Sequence, residues 1–208
     1  MIDQGKDTLD VRLLRAALMF IMRLLFRIEY LGLERVPKSG PLLIVANHVT
    51  YFDPFWITTP IRRTVRFMAW DRIFAQRLSS ALFRWLGAFP VNLDNPKFGA
   101  YKTALQVLKR GEVLMIFPEG GRSPDGSLQP FKEGAAYLAL RTGATILPVV
   151  VHGGRNVWST QMTLPRPSKV RVEFLDPITK DDFDTGAAEL TDRVRSVILE
   201  HQRRDAQC

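Results

Sequence analysis

Cysteine is nearly absent from the 208 residues: only Cys208 occurs, so no intramolecular disulfide and no Cys-x2-Cys metal site is available, and a reducing compartment is the expected setting. Long apolar runs are missing too. Arg12, Arg15, Arg23 and Arg27 interrupt the most hydrophobic stretch and leave 16–22 as its longest uncharged run, short of the roughly 20 residues that cross a bilayer. The same arginines, with no small-residue cleavage site after them, argue against a secretory signal. No repeat, low-complexity tract or linker divides the chain, so one globular domain is expected. Acidic residues are the minority charge, 21 Asp and Glu against 29 Lys and Arg, a net +8. Such an excess suits a polyanion, and nucleic acid and an anionic membrane surface fit it equally until its placement is known.

What is present begins with a helical stretch, residues 8–30, free of Gly and Pro, with Thr8 as candidate cap. At about 100° per residue the four arginines share about a third of the circumference, while Leu13, Leu14, Leu18, Ile21, Leu24, Leu25 and Ile28 take the opposite side. A basic amphipathic helix can lie in the headgroup plane with its arginines on lipid phosphates; the plain alternative is a helix packed on its own core. Residues 1–30 are read as a membrane-association helix and 31–208 as the main domain. The expected location is the cytoplasmic face of the cell membrane, peripheral or monotopic. Nucleic acid is not an expected partner, because no nucleic-acid motif occurs.

Beyond Gly32, short apolar runs at 41–46, 65–69, 113–117, 144–151 and 170–174 alternate with helical patterns at 54–59, 71–86, 98–109, 132–142 and 187–204. The alternation predicts an α/β fold: a single domain with a mixed, mostly parallel central sheet flanked by helices, plus the N-terminal amphipathic helix. Ligand sites in such sheets gather outside the carboxyl ends of strands. Two junctions there carry chemistry.

At the first, His48 follows strand 41–46 and Asp53 comes five residues later, immediately before Pro54. On a continuous helix that spacing sets two side chains about 140° apart, and a residue before proline disfavours the α region, so a loop connects them. Asp53 then reads as an N-cap with Pro54 at the first helical position. Folded back, its carboxylate can bond one imidazole nitrogen and leave the other free to take a proton from a hydroxyl. The bland reading is a capping aspartate and a hydrogen-bonded loop histidine. At the second junction, strand 113–117 breaks into Pro118-Glu119-Gly120-Gly121-Arg122-Ser123. Gly120 and Gly121 allow close ligand approach, and Arg122 offers a charged fork suited to phosphate that Glu119 can orient. The simpler alternative is a Glu–Arg pair on a turn.

Together the junctions resemble the glycerolipid acyltransferase family, in which His-x4-Asp is followed about seventy residues on by Phe-Pro-Glu-Gly-x-Arg-Ser, here 117–123. Residues 86–91 (Leu-Gly-Ala-Phe-Pro-Val) resemble the family's second block and 146–150 (Ile-Leu-Pro-Val-Val) its fourth. The resemblance implies a 1-acylglycerol-3-phosphate acyltransferase-like enzyme of phospholipid biosynthesis. Such an enzyme moves an acyl group from acyl-CoA or acyl-carrier protein onto the hydroxyl of a lysophospholipid, converting lysophosphatidic acid to phosphatidic acid. It further implies His48 as general base, Asp53 as the group that orients it, and Glu119, Gly120, Gly121 and Arg122 as the acceptor site, without cofactor, metal or acyl-enzyme. Two family phosphate ligands are replaced, the lysine by Trp70 and the arginine by Asn92, with Arg72 and Lys97 as candidate substitutes. Glycerol 3-phosphate or another lysolipid is the alternative acceptor, and a non-catalytic anionic-lipid-binding module the alternative function. His152 reads as a strand-end hydrogen-bonding residue, His201 as part of a solvated terminal helix, and Trp56, Trp70, Trp85 and Trp158 as ordinary packing.

Overall fold

A computed structural model describes residues 9–91, 98–183 and 186–205. Thr8, Asn92, Lys97 and Cys208 lie outside the described residues, as do the side chains of Arg12, Leu14, Arg15, Leu18 and Trp85. In chain order the elements are α1 (Leu9–Phe26), β1 (Glu29–Leu31), β2 (Leu42–Ala46), α2 (Asp53–Thr58), β3 (Val65–Trp70), α3 (Arg77–Trp85) and β4 (Ala88–Val91). They continue with α4 (Phe98–Lys109), β5 (Val113–Ile116), α5 (Gly134–Thr142), β6 (Thr145–His152), α6 (Gly154–Trp158), β7 (Arg171–Phe174) and α7 (Ala187–Asp205). Among the described residues the strands form one sheet of order β1-β7-β6-β2-β5-β3-β4, parallel except for the β6–β7 pair. This is the expected α/β domain with a mixed, mostly parallel sheet flanked by helices.

The central strand explains its own composition. Leu42, Ile44 and Ala46 point into a core with Trp56, Ile57 and Phe26, whereas Leu43 and Val45 point into a second core with Leu108, Leu138 and Ile198. A strand covered on both faces has no polar side to show, so it reads as an unbroken apolar run. Its parallel register with β5, Leu43 opposite Leu114 and Val45 opposite Ile116, brings the carboxyl ends of the two strands together at one edge. The loops after them, which hold His48 and Glu119, therefore emerge side by side.

Several expectations about elements change. The helix expected over 8–30 ends at Phe26, where Arg27 takes a φ of 44°, and Glu29–Leu31 form a strand instead; α6 was not expected. The segment 71–86 is not one helix but a 3-10 turn at Asp71–Phe74 followed by α3. On a continuous helix Phe74 and Phe83 would lie about 180° apart; the break lets both rings face the same core, 6.3 Å between centroids. Strands β1 and β4 were not expected from the pattern. Both lie at the sheet margins, where a three-residue strand is held by its neighbour and Pro90, which lacks an N–H, is tolerated.

Helix α1 docks on the core through Met22 and Phe26, with Ile28 just beyond its end. Met22 and Phe26 do not belong to the side expected to be apolar but lie, at about 100° per residue, beside and within the arginine third, so the expected side is not the docked one: Leu13, Ile21 and Leu25 are exposed and Leu24 is 73% exposed, as is neighbouring Phe20 at 70%. Arg23 lies on the flank, its guanidinium 5.7 Å from the Tyr30 ring centroid, and Arg27 leaves the helix with φ 44°. Burial pushes the Tyr30 hydroxyl up to about 12, against a smaller opposing effect of Arg23. Strand β1 spans the expected boundary at residue 30. Among the described residues no helix is long and apolar enough to cross a membrane.

Candidate active site

The chain leaves β2 through Asn47, whose buried side chain is spent on β6: Nδ2 donates to Val151 O at 3.0 Å and Oδ1 accepts Val151 N–H at 2.7 Å. That clamp sets the point from which the loop starts. Six residues later Asp53, fully buried, turns its carboxylate back into the loop. Oδ2 accepts from His48 Nδ1 at 2.7 Å, from Val49 N–H at 2.7 Å and from Thr50 N–H at 2.8 Å. A carboxylate only accepts, so Nδ1 carries a proton, and in the neutral imidazole Nε2 is then the nitrogen with the lone pair.

This corrects the helix cap. Asp53 is the first residue of α2 and Pro54 the second, with Phe52 flanking. Oδ2 is turned backwards and the buried Oδ1 meets no hydrogen-bond partner, so no side chain caps α2; Phe52 O accepts the first helical bonds, from Phe55 N–H and Trp56 N–H at 3.0 Å each. The loop between His48 and Asp53 is as expected; its termination is not.

His48 is held from three further directions. Its backbone N–H donates to Glu119 Oε1 at 2.7 Å, its carbonyl accepts Ser123 N–H at 2.7 Å, and its ring stacks on Phe117 with centroids 3.9 Å apart and planes 14° from parallel. The His48 side chain is 17% exposed, and its Nε2 meets no partner among the described residues.

Glu119 does not orient Arg122, contrary to expectation. Its second oxygen accepts Gln129 N–H at 2.9 Å, so both carboxylate oxygens tie the backbone together. Burial raises its pKa, and the N–H groups of Gln129 and His48 oppose that rise. Of the two glycines only Gly120 is conformationally required: its φ is +76° and an added Cβ would lie 2.6 Å from Lys132 Nζ, whereas a Cβ on Gly121 meets nothing. The turn that follows is pinned by Asp125, which Ser127 and Ser123 hold down to about 2 through hydrogen bonds to its carboxylate.

Arg122 pairs with no carboxylate among the described residues. Its guanidinium carbon lies 3.5 Å from the Tyr51 ring centroid, and its buried Nη1 has no hydrogen-bond partner. Trp70 is exposed, with Arg72 stacked on it at 4.6 Å. His152 takes the strand-end bond expected of it, Nε2 to Glu173 Oε2 at 3.3 Å. His201 is not simply solvated, since its Nδ1 meets the other oxygen of Glu173 at 3.0 Å. Among the described residues no three His, Cys, Asp or Glu side chains converge as a metal site.

The structure thus unites His48, Asp53 and Glu119, with Arg122 reached through Tyr51. Asn47, Tyr51 and Gly154 carry site-building roles that the sequence pattern did not assign. A Cβ on Gly154 would lie 2.8 Å from Val49 Cγ2 and 3.2 Å from Thr50 Cγ2 and Trp56 Cζ3, so this glycine lets α6 close against the His48 loop.

Comparison with known proteins finds relatives among the acyltransferases. A chloroplastic 1-acyl-sn-glycerol-3-phosphate acyltransferase of Brassica napus is 28% identical over 179 residues, 84% of this chain and 51% of that protein. The human 1-acyl-sn-glycerol-3-phosphate acyltransferase alpha is 27% identical over 208 residues, covering 94% of this chain and 71% of its own. The chain spans about half the length of the plant relatives it matches. The crystal structure of the 1-acyl-sn-glycerophosphate acyltransferase PlsC from Thermotoga maritima superposes with a TM-score of 0.76 at 25% identity, over 95% of this chain and 83% of that one. The model of the Acyltransferase family matches residues 27–152, a stretch that contains β1 through β6 and both junctions, and the chain belongs to that family.

Proposed function

We propose that this protein transfers a fatty acyl group from an acyl thioester, acyl-CoA or acyl-carrier protein, to the free hydroxyl of lysophosphatidic acid, giving phosphatidic acid. The observation that carries this reading is the 2.7 Å bond from His48 Nδ1 to a buried carboxylate that leaves Nε2 unspent. Nε2 takes the hydroxyl proton as the oxygen lone pair attacks the thioester carbonyl and a C–O bond forms. The tetrahedral oxyanion collapses, the C–S bond breaks, and the departing thiolate recovers the proton from Nε2. Asp53 keeps the tautomer and stabilises the imidazolium between these steps. Arg122, with N–H groups unspent, suits the acceptor phosphate. The activities for which the relatives are named support the same acceptor; Trp70 at the expected lysine position favours keeping other lysolipids and glycerol 3-phosphate in the acceptor panel.

The seat of the enzyme, on this reading, is the cytoplasmic face of an anionic membrane, with residues 1–30 as its membrane-association segment. Five exposed large apolar side chains on α1, flanked by Arg23, support burial in the interface, where headgroup phosphates complement the net +8. The test is acyl transfer by the purified protein from a labelled long-chain thioester to each acceptor. His48→Ala should lower turnover by about 10²–10⁴-fold with folding intact. Absence of transfer to every lysolipid and to glycerol 3-phosphate, with both donor types, overturns the proposal.

A further inference from the structure

We propose that Tyr51 is a positioning residue for Arg122, aligning with its ring face the cation that meets the acceptor's anionic group. The identity of that acceptor rests on the acyl-transfer reading; the geometry does not.

An arginine that binds a phosphate must be held in one orientation yet keep its N–H groups and its charge available. A carboxylate partner supplies orientation but takes up part of the N–H fork and offsets the charge. Here no carboxylate takes that part. Both oxygens of Glu119 face backbone N–H groups, and Asp125 is occupied by Ser123 and Ser127. Tyr51 provides the support instead. Its ring centroid is 3.5 Å from the guanidinium carbon, against 4.6, 5.3 and 5.7 Å for the other cation–ring contacts described. A face-on contact orients the guanidinium plane and leaves its in-plane fork unspent. Nη1 is indeed buried and unpaired, an arrangement that is costly unless a ligand completes it.

The tyrosine is 49% exposed, yet it is not free to swing. Its ring lies 4.7 Å from that of Trp158, whose Nε1–H donates to Met162 O at 3.1 Å. Trp158 in turn lies 5.3 Å from Phe52, and Phe52 5.4 Å from Phe26 at the docked end of α1. Tyr51 also sits inside the loop that Asp53 ties to His48. One loop therefore sets both the general base and the phosphate cation, and with them the placement of the attacking hydroxyl relative to Nε2.

The ring face, not the hydroxyl, does the positioning, which separates two substitutions. In acyl-transfer assays Tyr51→Leu should raise KM for lysophosphatidic acid about tenfold and leave KM for the acyl thioester and the pH profile of kcat unchanged, while Tyr51→Phe stays within about twofold of wild type. Binding of sn-glycerol 3-phosphate, followed by calorimetry without any donor, should weaken by the same factor in Tyr51→Leu. On an Arg122→Ala background, Tyr51→Leu should add nothing further, the mark of two residues acting through one interaction. Unchanged acceptor KM and glycerol 3-phosphate affinity in Tyr51→Leu overturn the proposal, as does a Tyr51→Phe variant equally impaired or a donor KM that moves with the acceptor KM. A wild-type protein that binds glycerol 3-phosphate but transfers no acyl group defeats the acyl-transfer reading and leaves the calorimetric comparison to judge Tyr51.

Discussion

Glu119 Oε1 accepts the backbone N–H of His48 at 2.7 Å, across 71 residues of sequence. Its other oxygen holds Gln129 N–H, so one side chain fastens the loop after β5 to the loop after β2. Glu119→Gln keeps the shape but turns an amide N–H₂ towards one of those donors. A loss of about 1–3 kcal/mol is expected, together with reduced turnover from a displaced His48. Denaturant titration and steady-state rates measure the two.

The same variant exposes a pH dependence. Burial raises the pKa of Glu119 in the folded protein above its ordinary 4.5, so its folding contribution is fullest below that value and declines as pH rises through the raised one. Wild type should lose stability relative to Glu119→Gln over that interval. Unfolding curves at a series of pH values from the acid side to neutrality check it, and a gap that widens in the other direction contradicts it.

Asp53 and His48 differ in what they support. His48→Ala removes one donor to the buried Asp53 carboxylate and should cost about 1–3 kcal/mol, whereas Asp53→Ala removes the acceptor for His48 Nδ1, Val49 N–H and Thr50 N–H together and should cost about 1–3 kcal/mol for each donor left unpaired. Asp53→Asn should lower kcat by about 10⁴, the scale known for the aspartate of a Ser-His-Asp triad, by presenting the wrong tautomer of His48. Thermal melts and kcat distinguish the three.

Gly154 and Gly121 form a matched pair. An alanine at 154 meets Val49, Thr50 and Trp56 in buried surroundings, and the overpacking should destabilise by about 1–3 kcal/mol and disturb the His48 loop. Gly121→Ala meets nothing and should be stable and folded. Chemical denaturation separates the two outcomes.

On α1, replacing Phe20 and Leu24 with serine should leave the melting temperature unchanged or raised, because neither side chain is packed. Sedimentation with anionic vesicles should fall at the same time. Phe26→Ala, in contrast, removes a core side chain and should cost about 3–5 kcal/mol.

Much of this protein was legible in sequence where the determinant is local. The runs at 41–46, 113–117 and 144–151 read as buried strands and proved to be strands at 42–46, 113–116 and 145–152, and His48-x4-Asp53 called for a loop, because helical geometry parts the two side chains. That residues 9–26 form a helix was likewise legible, in a stretch free of Gly and Pro, though which side it docks by was not. The tertiary structure decided what depends on partners distant in sequence: that Glu119 clasps His48 rather than Arg122, that Arg122 rests on Tyr51, and that α1 docks by Met22 and Phe26 while its broader apolar side stays uncovered. Strands β1 and β4 were hidden for the same reason, since three or four residues become a strand only when a neighbour supplies the hydrogen bonds. Sequence spacing specifies geometry over a few bonds; the parallel register of β2 with β5 brings together atoms seventy-one residues apart, and no local pattern encodes that meeting.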